Sequence, residues 1–444
     1  MDTSPHQLLA PALPRLAAAE RLIVAYSGGL DSTVLLHAVA RIFPPQRLAA
    51  AHVDHGLSPH SGLWLQHCRQ VCQGLGIAFH SCRLNLDPSG AGLEQAARRG
   101  RYHFLAGLVA ANELVLMAHH LDDQLETLLF RLLRGSGPRG LAAMPASRGL
   151  GAGALLRPLL AVPRSRLVHC ARSWQLNWIE DESNAAVTFD RNYLRHQVLP
   201  AIGGRWPDYR QRLARTLEQC QGADEILRER AQQDLENLGE RRERFGHSLA
   251  LAGFAALSPP RQQNVLREWV RSRGLGPLPH RVPDAVAREL VAAREDASPL
   301  VSWPGGALRR HRGRLYVMSH LPPLSAEAEL TLSPGVDIPV ADGGRLEWQA
   351  ATGGGLVVPA AAEVTVRFRR GGERCRPRGR GGSAALKKVL QEHGLEPWLR
   401  DRVPLLYVNG QLAAVGDLFV CEGFAARPGE SGWQLCWRYP SAPG

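Results

Sequence analysis

What constrains this chain most is a rhythm in residues 1–205, where short apolar runs alternate with stretches of helical spacing. Residues 21–26 (RLIVAY), 48–53, 77–83 and 114–118 read as strands. Residues 33–42, 63–75, 93–111 and 122–134 read as the helices between and after them. Such a βαβα alternation predicts an α/β fold with a doubly wound parallel sheet covered by helices on both faces. Ligands of these sheets bind at the carboxyl ends of the strands. Three polar clusters fall there, at residues 27–32, 52–55 and 119–123.

The first cluster, Ser27-Gly28-Gly29-Leu30-Asp31-Ser32, joins a strand to a helix. Its glycines let the backbone approach a phosphate and turn N–H groups toward it. The helix N-terminus adds partial positive charge, and Ser27 and Ser32 offer hydroxyls. No G-K-[ST] occurs anywhere, so a phosphate here meets no Walker-type lysine. Asp31 beside a polyphosphate makes sense if Mg2+ lies between them. The whole hexamer in this context favours nucleotide binding over a plain Gly-Gly turn.

The second cluster, His52-Val53-Asp54-His55-Gly56-Leu57, ends the next strand, where doubly wound folds face adenosine. His52 and Asp54 are expected to line ATP; the plainer reading is a polar strand end closed by Asp54. In His119-His120-Leu121-Asp122-Asp123-Gln124-Leu125-Glu126-Thr127, Asp123 and Glu126 share one helical face. A capping box is the plain reading. The chemical one makes Asp31 and Asp123 the Mg2+ ligands and His119 a polar contact at the reacting centre. Zinc fits less well, because no cysteine lies nearby and Mg2+ suits ATP.

Composition narrows the partners. Against 41 acids stand 53 basic residues, a net charge of +12, and Lys387 and Lys388 are the only lysines. This surplus favours nucleic acid over membrane. An apolar fraction of 45% excludes global disorder. No run approaches the ~18 apolar residues of a transmembrane helix, and acidic Asp2 without a basic stretch argues against a signal peptide. Eight cysteines without a C-x-x-C indicate reduced thiols in the cytoplasm. Cys68 and Cys72, near His67, are read as buried thiols rather than metal ligands.

Pro200 and Gly203-Gly204 mark a boundary. The expected domains are a catalytic domain at 1–205, a mainly helical middle domain at 206–320 with a strand pair at 302–318, a Pro/Gly-rich linker with a short β element at 321–362, and a small α+β domain at 363–444.

The hexamer at 27–32 resembles the PP-loop of the N-type ATP pyrophosphatases, whose fold is an adenine-nucleotide α-hydrolase-like doubly wound sheet. Further motifs look like those of the tRNA(Ile)-lysidine synthetase family over residues 20–202: V-D-H-G-L at 53–57, A-H-H-L-D-D-Q-x-E-T at 118–127, D-E-S-N at 181–184 and R-N-Y-L-R at 191–195. Glu94, Ala96-Ala97-Arg98 and Arg101-Tyr102 match its E-x-A-A-R-x-x-R-Y stretch. Leu386-Lys387-Lys388-Val389-Leu390, Glu396-Pro397-Trp398-Leu399-Arg400-Asp401 and Val415-Gly416-Asp417 resemble the family's last domain, which grips tRNA.

The resemblance implies a carbon–nitrogen ligase that uses ATP and Mg2+ on the wobble cytidine of an isoleucine tRNA with a CAU anticodon. The cytidine O2 attacks the α-phosphorus, pyrophosphate leaves, and the ε-amine of free L-lysine then displaces AMP. The catalytic set is expected to be Asp31, His119, Asp123, Glu126, Arg98 and Arg101, with Glu126 or His119 accepting a proton. The ATP set is Ser27, Gly28, Gly29, Leu30, Asp31, Ser32, His52 and Asp54. Arg191, Asn192, Arg195, Arg367, Arg369, Arg370, Lys387 and Lys388 are expected to hold tRNA, and the sequence admits a homodimer. Residues 367–380 carry seven arginines and one acid, Glu373, a pattern suited to RNA phosphates. Trp398, Trp433 and Trp437 are read as core residues before base-stacking ones.

Three other functions fit the sequence less well. A 2-thiocytidine synthetase needs C-x-x-C thiols, which are missing. An amidating ligase of small molecules does not explain the basic surplus. A non-catalytic RNA-binding protein does not explain the intact loop together with Asp123 and Glu126.

Overall fold

The computed structural model describes residues 3–56, 58–85, 92–180, 190–294, 297–324, 329–340 and 343–439. Leu57, Asp181, Glu182, Ser183 and Asn184 lie outside the described residues, as does the side chain of Glu94. The chain forms two compact units, Met1–Ile226 and Leu227–Gly444.

The first unit is built on a six-stranded sheet: β1 (Leu22–Ala25), β2 (Leu48–Asp54), β3 (Ala78–Arg83), β4 (Leu114–Leu116), β5 (Ser147–Leu150) and β6 (Gly153–Leu156). Its order is β3-β2-β1-β4-β6-β5, with only β5 antiparallel. Strand periodicity decides which residues meet which layer. Leu22 and Val24 of β1, Leu48 and Ala50 of β2, and Leu114 and Leu116 of β4 face one core. Helices α1 (Leu30–Ala40), α2 (Ser61–Gly74) and α5 (Arg164–Ser173) cover it. The intervening Ile23, Ala49, Ala51 and Val115 face a second core with Leu105 of α3 (Leu93–Leu108). The expected doubly wound sheet is therefore present. Helix α4 (Leu121–Leu133) follows β4, and Cys68 and Cys72 are buried free thiols. The β5–β6 hairpin is an addition: its Arg-Gly-Leu-Gly-Ala-Gly stretch shows no apolar alternation to announce it.

The second unit holds two sheet systems. Strands β7 (Arg241–Arg242), β8 (His247–Ala250), β9 (Leu300–Trp303), β10 (Gly306–His311) and β11 (Arg314–Met318) form an antiparallel sheet in the order β7-β8-β11-β10-β9. Helix Pro259–Ser272 packs Val265, Leu266 and Trp269 on it, and helix Leu251–Ala256 adds Phe254. The expected strand pair at 302–318 is the centre of this sheet, beside the expected helices.

Further along lie β12 (Glu329–Leu332), β13 (Ile338–Pro339), β14 (Arg345–Thr352), β15 (Val364–Arg367), β16 (Arg374–Cys375), β17 (Ala384–Ala385), β18 (Leu405–Val408), β19 (Gln411–Val415), β20 (Phe419–Val420) and β21 (Ser431–Arg438). Five of them form the sheet β12-β15-β18-β19-β20, and β13-β14-β21 form a smaller one. Strand β14 pairs with β21 at every residue, from Arg345 opposite Arg438 to Thr352 opposite Ser431. The stretch 321–362, read from sequence as a linker with a short β element, supplies strands whose Leu346 and Trp348 enter the C-terminal core. Its prolines and glycines mark the turns and obscure the strands between them. Among the described residues no helix is long and apolar enough to cross a membrane.

Candidate nucleotide site at the switch point of the parallel sheet

Strand β1 pairs with β2 on one side and β4 on the other. Chain order reverses between β1 and β4, which opens a crevice at their carboxyl ends. Two of the three clusters meet there, the loop after β1 and the turn after β4.

The loop is held by its own hydroxyls. Ser27 Oγ lies 3.0 Å from Ser32 Oγ and accepts from the Gly29 N–H at 3.3 Å. Ser32 Oγ donates to the Gly29 carbonyl at 3.0 Å, and so does Thr33 Oγ1. Gly29 stands just before α1, so the helix N-terminus opens on the loop. Gly28 has φ +83°, and a Cβ there would lie 2.7 Å from Ile179 Cδ1 and 3.0 Å from Cys68 Sγ. The Ile179 N–H donates to the Gly28 carbonyl at 2.9 Å. Gly28 is therefore required by conformation and by space.

His52 is buried below the loop, with Nδ1 3.0 Å from the Tyr26 carbonyl and 3.5 Å from Cys68 Sγ. Burial pushes its pKa down. Asp54 Oδ1 accepts from the Gly56 N–H at 2.7 Å, which closes the strand end in the plainer manner weighed above.

His120, not singled out in the sequence, organises the turn after β4. It caps α4 in a reciprocal box: Asp123 N–H donates to His120 Nδ1 at 3.4 Å, and His120 N–H donates to Asp123 Oδ2 at 3.0 Å. Its Nε2 then faces Asp31 at 3.6 Å and Asp123 at 3.5 Å. Burial lowers the His120 pKa, but Asp31, Asp123 and Asp122 outweigh it and hold the net value above the ordinary imidazole value. His120 thus bridges the two carboxylates read as metal ligands. Burial also pushes the His119 pKa well down, and its buried Nδ1 has no partner among the described residues.

Glu126 is 1% exposed and carries two guanidinium groups. Arg195 Nε donates at 2.6 Å and Nη2 at 3.0 Å, and Arg191 Nε at 3.0 Å. Both arginines also reach Asp123 Oδ1 at 3.2 Å. Burial raises the Asp123 pKa, but His120, Arg191 and His119 outweigh it and keep it below the usual carboxylate range. Arg191 and Arg195, expected on tRNA, are ion-paired with these acids. Glu126, expected as a proton acceptor, has both carboxylate oxygens hydrogen-bonded to these guanidinium groups.

Asp31 differs: its Oδ1 is buried without a hydrogen bond among the described residues, with Arg164 Nε 3.8 Å away. That orphaned oxygen suits a cation shared with phosphate oxygens. For Asp123 to join it, Arg191 and Arg195 would have to yield Oδ1. Among the described residues no cluster of three or more His, Cys, Asp or Glu could hold a metal by itself. Arg98 donates to Tyr102 Oη at 3.4 Å and lies over that ring. Arg101 adds positive charge beside His55 and His119.

The expected RNA-binding residues of the second unit divide. Arg367 pairs with Glu329 at 2.8 Å and Arg369 with Asp401 at 2.7 Å, whereas Lys387 and Lys388 are exposed on helix Leu386–Glu392. Trp437 is a core residue.

A phosphate-cradling loop and a histidine-bridged carboxylate pair at a switch point define a PP-loop nucleotide-binding domain. Residues 2–202 match the PP-loop domain family, 249–316 the TilS substrate binding domain and 364–437 the TilS substrate C-terminal domain. A tRNA(Ile)-lysidine synthase of Coxiella burnetii is 39% identical, covering 93% of this chain and 92% of the relative. One of Alkalilimnicola ehrlichii is 41% identical over 95% of each. A solved structure of a TILS C-terminal domain aligns at 23% identity and TM-score 0.21 over 25% of this chain and 98% of that one. The chain belongs to the tRNA(Ile)-lysidine synthase family.

Proposed function

We propose that this protein joins L-lysine to C2 of the wobble cytidine of isoleucine tRNA bearing a CAU anticodon, and cleaves ATP to AMP and pyrophosphate in the cytoplasm. The observation that carries the reading is the Ser27–Ser32 hexamer at the switch point, with its Asp31 facing His120 and Asp123 of the turn after β4. The loop N–H groups and the N-terminus of α1 receive the departing pyrophosphate. Mg2+ at Asp31 would supply charge neutralisation on the phosphates. His120 keeps Asp31 and Asp123 close together by turning its Nε2 to both carboxylates.

The cytidine O2 forms a bond to the α-phosphorus as the α–β bridge breaks. The lysine nitrogen then bonds to C2 as the C2–O2 bond to AMP breaks, and the amine gives up a proton. His119, whose buried Nδ1 has no partner among the described residues, is the better placed acceptor, because the Glu126 oxygens are taken up by Arg191 and Arg195. Arg191 and Arg195 act through these acids, while Lys387 and Lys388 meet tRNA phosphates.

The test is AMP formation from ATP with the purified protein, CAU-anticodon isoleucine tRNA, Mg2+ and each common amino acid in turn. Turnover with lysine only, and with that tRNA only, is the expected outcome. Turnover without an amino acid, or with a sulfur or ammonia donor instead, moves the chain to another branch of PP-loop enzymes.

A further inference from the structure

The second unit contains a cavity of about 740 Å³ that no step of this chemistry uses. It opens between the middle sheet and the segments that flank strands β15 and β18. Ser302 of β9, Ala307 and Arg309 of β10, and Met318 and His320 form one wall; Arg369, Trp398, Asp401 and Arg402 form the other. The size suits a ligand no larger than a nucleotide or two, since small-molecule pockets span about 300–1,000 Å³.

Its chemistry is specific. Arg309 lies over the Trp398 ring, 5.2 Å from the centroid. Tyr316 and His311 meet that ring edge-on at 5.0 and 6.0 Å and fix its plane. Arg309 has no carboxylate partner among the described residues, and burial alone pushes its pKa down. Arg402 turns one nitrogen to the Pro322 carbonyl at 2.6 Å, and Arg369 is balanced by Asp401. The lining therefore brings three guanidinium groups together, of which Arg369 is paired with Asp401 and Glu373. The buried indole N–H of Trp398 has no acceptor among the described residues. A guanidinium resting on an indole offers a flat cationic face to a base, and a neighbouring arginine suits the attached phosphate.

We propose that this cavity binds one unpaired nucleotide of the tRNA substrate, other than the cytidine that is modified. Its base stacks on Arg309 and its phosphate meets Arg402. The proposal rests on the tRNA reading above and adds a second point at which the substrate is held.

The experiment compares the full-length protein with Arg309→Met and Ser302→Glu. Arg309→Met removes the stacking face and charge. Ser302→Glu, on an exposed β9 position, places an acid in the cavity without removing a contact. Thermal unfolding checks that each is folded. Both variants should raise the tRNA Kd and the tRNA KM about tenfold, within the range expected for one lost stacked base, while kcat at saturating tRNA and the KM for ATP stay at wild-type values. tRNA affinity within twofold of wild type for a folded variant overturns the proposal. Weakened binding of free AMP with unchanged tRNA affinity overturns it as well, because the cavity would then serve a free nucleotide. Failure of the functional reading is separate: it appears as missing lysine-dependent turnover in the wild type.

Discussion

Replacing Gly28 by alanine isolates what the phosphate loop demands of its backbone. At φ +83° an L-residue costs about 1–2 kcal/mol. The new methyl would also sit 2.7 Å from Ile179 Cδ1 and 3.0 Å from Cys68 Sγ, and overpacking of this kind adds about 1–3 kcal/mol. Gly28→Ala should therefore lose roughly 2–5 kcal/mol if the loop holds its shape. Urea unfolding measures the loss, and ATP titration measures the share relieved by loop movement. An ATP affinity about tenfold weaker corresponds to ~1.4 kcal/mol of that share. Ile179→Val removes the Cδ1 at issue and costs about 0.5–1.5 kcal/mol alone. In the double variant it should return roughly 1 kcal/mol, so the two changes are non-additive. Gly28→Ala with unchanged stability and unchanged ATP binding would refute the reasoning, and strict additivity would refute the role of Ile179.

Four other outcomes can be checked. Asp31→Asn should abolish pyrophosphate release; normal turnover in Mg2+ would remove the metal-ligand role. Glu126→Gln should cost about 1–3 kcal/mol of stability and leave the shape of the kcat–pH profile intact, whereas loss of one limb of that profile at unchanged stability would restore Glu126 as the base. Lys387→Glu with Lys388→Glu should weaken tRNA binding and flatten its salt dependence by about one unit of slope per lost phosphate contact, at unchanged ATP affinity; an unaltered salt slope would take these lysines off the RNA. His37 has its pKa lowered by burial, then by Arg41, from 6.5 to about 4. The unfolded chain therefore binds this proton first, so stability should fall as pH drops from 6.5 toward 4, and His37→Gln should flatten that slope in acid unfolding curves.

The parts of the fold that could be read in the sequence are those whose pattern is local. The apolar run that became β1 is uninterrupted, β2 is broken only by His52, and the hexamer at 27–32 carries its context on both sides. Strand order is not local, yet it decides that the loop after β1 and the turn after β4 share one crevice. His120 is not legible as a bridge, because a capping histidine has no sequence signature apart from its neighbour His119. The clamp on Asp123 and Glu126 joins residues more than sixty positions apart, and arginines near a nucleotide site suggest phosphate before they suggest a buried acid. Arg164 and Ile179, which touch Asp31 and Gly28, lie in segments with no motif. In the C-terminal part, Leu346 and Trp348 do alternate inward, but the surrounding prolines and glycines speak more loudly for a linker.

The pairing of β14 with β21 has a consequence for synthesis. Thr352 and Ser431, the nearest partners, are separated by an intervening chain that takes on the order of 4–16 s to translate. During that interval most of the β14 edge has no neighbour, and Leu346 and Trp348 have no Trp437 and Leu435 to pack against. An unpaired strand edge with apolar side chains is a template for association with other nascent chains. Deleting residues from 363 onward would make that state permanent, so exposed-residue substitutions are the sounder probe of RNA binding. Soluble yield should accordingly depend on how quickly ribosomes traverse codons 353–438, and synonymous changes that slow this stretch should lower it with no change in the finished protein.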